Sequence, residues 1–218
     1  LAHEMKTPLT SIIGYADLMR IENLSEEEQK EACGYIYSEG KRLQNLSLKL
    51  MNLLVLKNQE FQMKKQNLVP MIHEVISSMQ YRLQEQKILV NLNLKPTICE
   101  VEADLLKSLI LNLVDNSLKS MNVGGILTIE CCPAQEGAKI YVSDTGCGMP
   151  KGELDKITEA FYRVDKSRSR KQGGVGLGLA LCKEIVRIHK GDMEFISQEE
   201  KGTTAIITIG GGHYEKTD

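Results

Sequence analysis

Leucine recurs at positions 43, 46, 50 and 53, at spacings of three, four and three. That rhythm draws an apolar seam along one side of a helix, and such a seam needs a partner. Upstream, Leu9, Ile12, Ile13, Ala16 and Met19 mark one face of an earlier helix. Glu22-Asn23-Leu24 interrupts it, and Ser25-Glu26-Glu27-Glu28 reads as a capping box that starts the next one. Residues 1–58, with Pro8 their only proline, therefore predict an antiparallel helical hairpin. A hairpin covers only part of each seam. Either the rest of the chain packs on the remaining stripe, or a second copy closes a four-helix bundle; the homodimer is the expectation.

From residue 61 the texture changes. Short β-branched runs alternate with helical stretches, and most of the glycines lie here. The pattern predicts strands at 61–66, 88–94, 97–101, 125–132 and 138–144. It predicts helices at 68–84, 103–121 and 176–190, a loop-rich stretch at 145–174, and a hairpin of strands at 192–198 and 203–209. Regular strand–helix–strand alternation is missing, which indicates an α+β sandwich with helices on one face of a mixed sheet. Asn58-Gln59-Glu60 is polar and marks a boundary between domains 1–58 and 61–213.

Composition narrows the function classes. With 42% hydrophobic residues, the 218-residue chain has enough apolar material for a core. Lys+Arg 27 against Asp+Glu 29 argues against a dedicated nucleic-acid binder. No apolar run approaches the ~20 residues of a membrane span. The chain lacks a signal peptide and starts without Met, as a piece cut from a longer protein would. Cysteines at 33, 99, 131, 132, 147 and 182 contain no C-x-x-C pair, so reduced, buried thiols and a cytoplasmic setting are expected.

Four segments carry chemistry. Gly173-Gly174-Val175-Gly176-Leu177-Gly178-Leu179 leads into an apolar helix, where bare backbone amides can crowd a phosphate; it is equally a flexible loop. It fits neither the P-loop nor G-x-G-x-x-G. Asp144-Thr145-Gly146-Cys147-Gly148 ends a strand with a carboxylate that can accept the exocyclic amine of adenine, or it forms an ordinary turn. Asn112, Asn116 and Lys119 share one helix face beside the apolar stripe Leu106, Leu109, Ile110, Leu113 and Val114. Amide oxygens suit Mg²⁺ and an ammonium suits a phosphate oxygen, although a solvated polar face looks the same. His3-Glu4-Met5-Lys6-Thr7-Pro8 pairs an imidazole with a carboxylate beside a helix-perturbing proline.

Taken in order and spacing, these segments resemble the catalytic core of bacterial sensor histidine kinases over nearly the whole chain. His3 to Leu9 is similar to the phosphoacceptor box, and Asn112 to Lys119 to the N box. Asp144-x-Gly146-x-Gly148 is similar to the first glycine box, Phe161-Tyr162-Arg163 to the F box, and Gly174-x-Gly176-Leu177-Gly178 to the second glycine box. The resemblance implies a dimerisation and histidine phosphotransfer domain followed by an ATP-binding domain of the gyrase and Hsp90 type. It implies that His3 attacks the γ-phosphate of ATP, with Glu4 as base on the far ring nitrogen. Asn116, helped by Asn112, would hold Mg²⁺, and Lys119 would touch phosphate. Asp144 would read adenine beside Gly146 and Gly148. Arg163, with Gly174, Gly176, Leu177 and Gly178, would steady the triphosphate. The phosphoryl group would pass to an aspartate in the receiver domain of a response regulator. Glu4 and Thr7 match the pattern for removing it again, with Thr7 orienting water. The parent of such a core is often anchored in the cell membrane.

Arg163, Lys166, Arg168, Arg170 and Lys171 oppose a single acid, Asp165, and form a basic stretch suited to closing on an anionic ligand. Thr158 stands where the F box usually has another Phe, and Ser117 and Ser120 stand where the family often has Ala and an aromatic. A water-hydrolysing or serine-directed ATPase of the same superfamily is the alternative. Its hydrolysing members typically carry Glu at the position of Asn112, and Asn cannot act as that base. A catalytically silent scaffold is opposed by the intact His3, Asn116 and Asp144.

Overall fold

The computed structural model describes residues 2–21, 24–121, 123–135, 137–164 and 175–210. Helix α1 (Ala2–Ile21) runs through Pro8 without a break. Helix α2 (Glu26–Asn58) starts at the expected capping box: Ser25 N–H donates to Glu28 Oε2 at 2.9 Å, and Glu28 N–H donates back to Ser25 Oγ at 3.4 Å. Tyr15 stacks on Tyr35 with ring centroids 4.7 Å apart, and Cys33 Sγ lies 3.9 Å from Met19 Sδ. Pairing of low numbers with high ones makes the hairpin antiparallel. Leu9, Ile13, Met51, Leu54 and Val55 remain exposed along it.

Strand β1 (Lys64–Asn67) pairs antiparallel with β3 (Ile98–Val101). It starts later than the expected 61–66, and Asn67 Oδ1 then caps helix α3 (Leu68–Ser78) by accepting from Val69 N–H at 3.1 Å. The expected helix 68–84 is divided into α3 and α4 (Gln80–Glu85). Ser78 Oγ donates to Val75 O at 2.6 Å, and Met79 N–H reaches both Val75 O and Ile76 O, so the backbone tightens there.

Strands β2 (Ile88–Leu94), β4 (Gly125–Ala134), β5 (Gly137–Asp144), β6 (Asp192–Gln198) and β7 (Gly202–Ile209) form the main sheet in the order β2-β4-β5-β7-β6. Only the β2–β4 pair is parallel, so the sheet is mixed. Helices α5 (Ala103–Ser120) and α6 (Gly178–Ile188), with α3, cover one face. Leu127, Ile129 and Cys131 of β4, Ala138, Ile140 and Val142 of β5, and Ala205, Ile207 and Ile209 of β7 point into that layer. The alternate residues Glu130, Lys139 and Ile196 face out, the period-two pattern of a sheet packed on one side. Helix α6 starts at Gly178, two residues later than expected, because Gly176 adopts a left-handed φ of 73°.

All six cysteines are free. Cys99, Cys131 and Cys182 are buried as expected, whereas Cys33 and Cys147 are exposed and Cys132 is half-buried. Burial pushes the Cys182 thiol up to about 12, which leaves it unreactive. Among the described residues no helix is long and apolar enough to cross a membrane.

The buried His189 ties α6 to the start of α5. Its Nδ1 donates to Ile185 O at 2.8 Å, and its Nε2 accepts from Glu102 N–H at 3.0 Å. Burial pushes the imidazole below its ordinary value of 6.5. The unfolded chain therefore takes up the proton first, so stability is complete above about pH 6.5 and is lost as the pH falls below it. Urea midpoints should drop between pH 7.5 and 5.5, with a slope approaching about 1.4 kcal/mol per pH unit for one proton. His189→Leu should be less stable at neutral pH but should flatten that slope. An unchanged slope would remove His189 as the cause.

Candidate functional site

A cleft of ≈ 760 Å³ opens between α5, the end of β5 and the start of α6. Asp144, the last residue of β5, lines it. Its Oδ1 accepts from Ser120 Oγ at 3.0 Å and from Gly146 N–H at 2.9 Å, while Oδ2 accepts from Ser117 Oγ at 3.0 Å. A carboxylate offers about four lone-pair sites. Ser117 Oγ and Gly146 N–H, with the Ser120 hydroxyl proton shared between Asp144 and Ser117 O at 2.9 Å, fix its orientation and leave capacity for a donor from a ligand. Ser117 and Ser120, the two departures noted in the sequence, are therefore the side chains that aim Asp144.

The glycines beside it answer to close packing. Gly148 has φ 62°, and a Cβ there would run into Gln198 O at the β6–β7 turn. Glu200 N–H donates to Cys147 O at 2.7 Å, and Met149 N–H to Ser197 Oγ at 2.9 Å, so this loop rests on that hairpin. A Cβ on Gly146 would run into Ser120 Oγ and stand 2.8 Å from Asp144 Oδ1.

Helix α5 brings Asn116 and Lys119 to the cleft wall; Asn112 lies outside the lining. Asn112 Nδ2 donates to Ser108 O at 2.7 Å, and its Oδ1 would meet a Gly178 Cβ at 3.3 Å. Asn116 Nδ2 is buried without a partner, and both its amide atoms stand within 4 Å of the same point. Bare Gly178 thus lets the start of α6 approach both amides. Lys119 Nζ lies 2.6 Å from Asp115, which Arg82 also pairs at 2.7 Å. Burial pushes the Asp115 carboxyl up, but Lys119 and then Arg82 outweigh it and hold it below its ordinary value.

Gly176 and Gly178 line the cleft, whereas Leu177 turns from it and packs with Val175 against Leu46 of α2. Gly176 O accepts from Phe161 N–H at 2.8 Å, and a Cβ at 176 would stand 2.7 Å from Tyr162 O. Arg163, almost fully buried, lines the cleft and extends to the hairpin: its Nη2 donates to Glu4 Oε2 at 2.7 Å. Arg42 of α2 stands 3.8 Å from the same carboxylate and 3.2 Å from Glu39. His3 occupies the first turn of α1, one residue before Glu4, and Thr7 lies one turn on. The His3 side chain, Gly174 and the basic positions Lys166, Arg168, Arg170 and Lys171 lie outside the described residues.

One further lining residue is Lys49 of α2. Nothing in the sequence sets it apart from the other lysines of that helix. It enters the cleft only because Leu46 docks on Val175 and Leu177.

Residues 101–211 match the family described as histidine kinase-, DNA gyrase B-, and HSP90-like ATPase, and residues 1–53 match the His Kinase A (phospho-acceptor) domain. The chain is 29% identical over 215 residues to sensor protein SrrB of Staphylococcus aureus, covering 96% of this chain and 36% of that protein. It thus spans about a third of the length of the curated relatives it matches. Its fold is similar to that of Acinetobacter baumannii histidine kinase AdeS, at TM-score 0.74, 20% identity, and coverage of 96% of this chain and 98% of that one. It is also similar to histidine kinase ThkA solved in complex with response regulator protein TrrA, at TM-score 0.77, 22% identity, and coverage of 95% and 59%.

The packing around Asp144 predicts that Gly146→Ala costs about 1–3 kcal/mol through overpacking. Gly152→Ala, with open space at its Cβ, should stay within about 0.5 kcal/mol of the parent. Urea denaturation of the two variants checks the contrast, and equal midpoints would contradict it.

Proposed function

Since this chain belongs to the bacterial sensor histidine kinases, as a catalytic core joining a phospho-acceptor domain to an ATPase-type domain, we propose that it phosphorylates His3 from ATP and passes the phosphoryl group to an aspartate of a response regulator. The observation that carries this reading is the Arg163–Glu4 ion pair at 2.7 Å. It sets the turn bearing His3 beside Arg163, a residue of a cleft that Asp144 also lines.

In this reading Asp144, oriented by Ser117, Ser120 and Gly146, accepts the exocyclic amine of adenine through its remaining lone pair. The triphosphate extends toward Lys119, Arg163 and the start of α6, where Gly176 and Gly178 leave backbone room. Gly148 keeps the adenine end of the cleft in shape through its contact with the β6–β7 turn. Gly174 and Leu177 belong to the same segment, with Leu177 acting through its packing on α2.

Asn116, with Asn112 behind it, would hold Mg²⁺, which supplies charge neutralisation on phosphate oxygens. The fit rests on the amide oxygens: Asn116 lines the cleft, and the Oδ1 atoms of Asn116 and Asn112 both approach the same point beside Gly178. Among the described residues no group of three or more His, Cys, Asp or Glu could cage a metal. Neutral amide oxygens completed by phosphate suit such an ion.

One nitrogen of the His3 ring attacks the γ-phosphorus. An N–P bond forms, the bond from γ-phosphorus to the bridging oxygen breaks, and ADP leaves with that electron pair. Glu4 takes the proton from the other ring nitrogen. Arg163, which pairs with Glu4 Oε2 at 2.7 Å, holds that carboxylate one residue from His3. Thr7, one turn from His3, orients water when the core removes phosphate from the regulator. The exposed apolar residues of the hairpin support a homodimer through a four-helix bundle. Crystallisation of ThkA with TrrA supports a regulator as the partner.

His3→Gln should abolish acid-labile phosphate from γ-labelled ATP while calorimetric affinity for ATP stays within about twofold. Label persisting on that variant would displace His3 as the nucleophile. Asp144→Asn should weaken ATP binding about tenfold or more, the loss of a hydrogen bond to a charged acceptor. Unchanged affinity would remove Asp144 from adenine recognition.

A further inference from the structure

Among the described residues three cations line the cleft, Lys49, Lys119 and Arg163, and the last two pair with carboxylates. Lys119 pairs with Asp115 and Arg163 with Glu4. Lys49 makes no hydrogen bond or ion pair with any described residue, although it is half-buried. Nearby Asp115 is already shared by Lys119 and Arg82. Burial first, and the Lys119 ammonium second, push Lys49 below its ordinary value. An unpaired ammonium removed from water beside a like charge is costly, and the fold retains it.

Its position is not incidental. Lys49 lies one turn beyond Leu46, and Leu46 is buried against Val175 and Leu177. The same apolar contact that seats α2 on the ATP-binding domain therefore carries the ammonium into the cleft. The same cleft is lined by Asn116, Lys119, Arg163 and Gly178. A polyanion placed there would neutralise a charge that the described residues leave unmatched.

We propose that Lys49 is a phosphate-binding residue contributed by the helical hairpin, so that the bound nucleotide is held from both domains and fastens α2 to the ATP-binding domain. This rests on the reading of the cleft as an ATP site and adds a contact from outside the ATPase-type domain. It makes occupancy of the cleft a determinant of how firmly the hairpin is docked.

The test compares the full chain with Lys49→Met, which keeps the alkyl stem and removes the charge, and with Lys49→Arg. ATP with Mg²⁺ is titrated calorimetrically, and melting temperature is recorded without nucleotide. The expected result is ATP affinity about tenfold weaker in Lys49→Met and largely restored in Lys49→Arg. Without nucleotide, Lys49→Met should melt at the parental temperature or above it, because an uncompensated charge is gone. Equal ATP affinity in Lys49→Met would overturn the proposal. So would a weakened affinity accompanied by a lowered melting temperature, which indicates lost packing, or a weakened affinity that Lys49→Arg does not restore. If the parental chain binds no ATP, the reading of the cleft itself fails, an outcome distinct from a parental chain that binds and a variant that binds equally well.

Discussion

The structure depends on the two-sided character of α5. Leu106, Leu109, Ile110, Leu113, Val114 and Leu118 are buried at 0–3% exposure against the sheet and the flanking helices. The adjoining face carries Asn116, Ser117, Lys119 and Ser120. Each fully buried aliphatic side chain contributes about 1.5–3 kcal/mol of transfer free energy, so the polar face is held by the stability of the core behind it. The cleft is the uncovered edge of that same packing. Its wall can be rigid without any ligand, because the residues that fix it are core residues.

Several buried charges in the cleft are met by partners. The Asp144 carboxylate is met by three donors, the Asp115 carboxylate by two cations, and the Arg163 guanidinium by Glu4. Such pairing offsets the cost of taking charge out of water. The Arg163–Glu4 pair also links the domains, since Glu4 belongs to α1 and Arg163 to the segment before the second glycine run. Lys49 differs from them in having no ion pair with a described residue.

Much of the fold was legible from periodicity. The capping box at Ser25, the antiparallel hairpin, the α5 stripe and the β6–β7 hairpin follow from local patterns, because capping and amphipathicity act over a few residues. The division at Met79 was not, since it arises from competition between Ser78 and the backbone within an otherwise continuous apolar pattern. Among site residues, Asp144, Asn116, Lys119, Gly176 and Gly178 stand together around the cleft, as the resemblance to the histidine kinase boxes implied. Leu177, grouped with them by the motif, faces α2 instead. Ser117 and Ser120 read as departures from a pattern, and their role as donors to Asp144 emerges only when α5 and the end of β5 are adjacent.

The sequence by itself determined the elements, the helical character of the first 58 residues and the chemistry available in each segment. Those properties reside in spacing and residue type along a short stretch of chain. The tertiary structure decided which groups meet: Arg163 with Glu4 across 159 positions, Ser117 with Asp144 across 27, and Lys49 with a cleft made by other elements. Partner choice at such separations depends on how packed layers lie against one another. No local pattern encodes that, because the energy that selects it comes from the whole core at once.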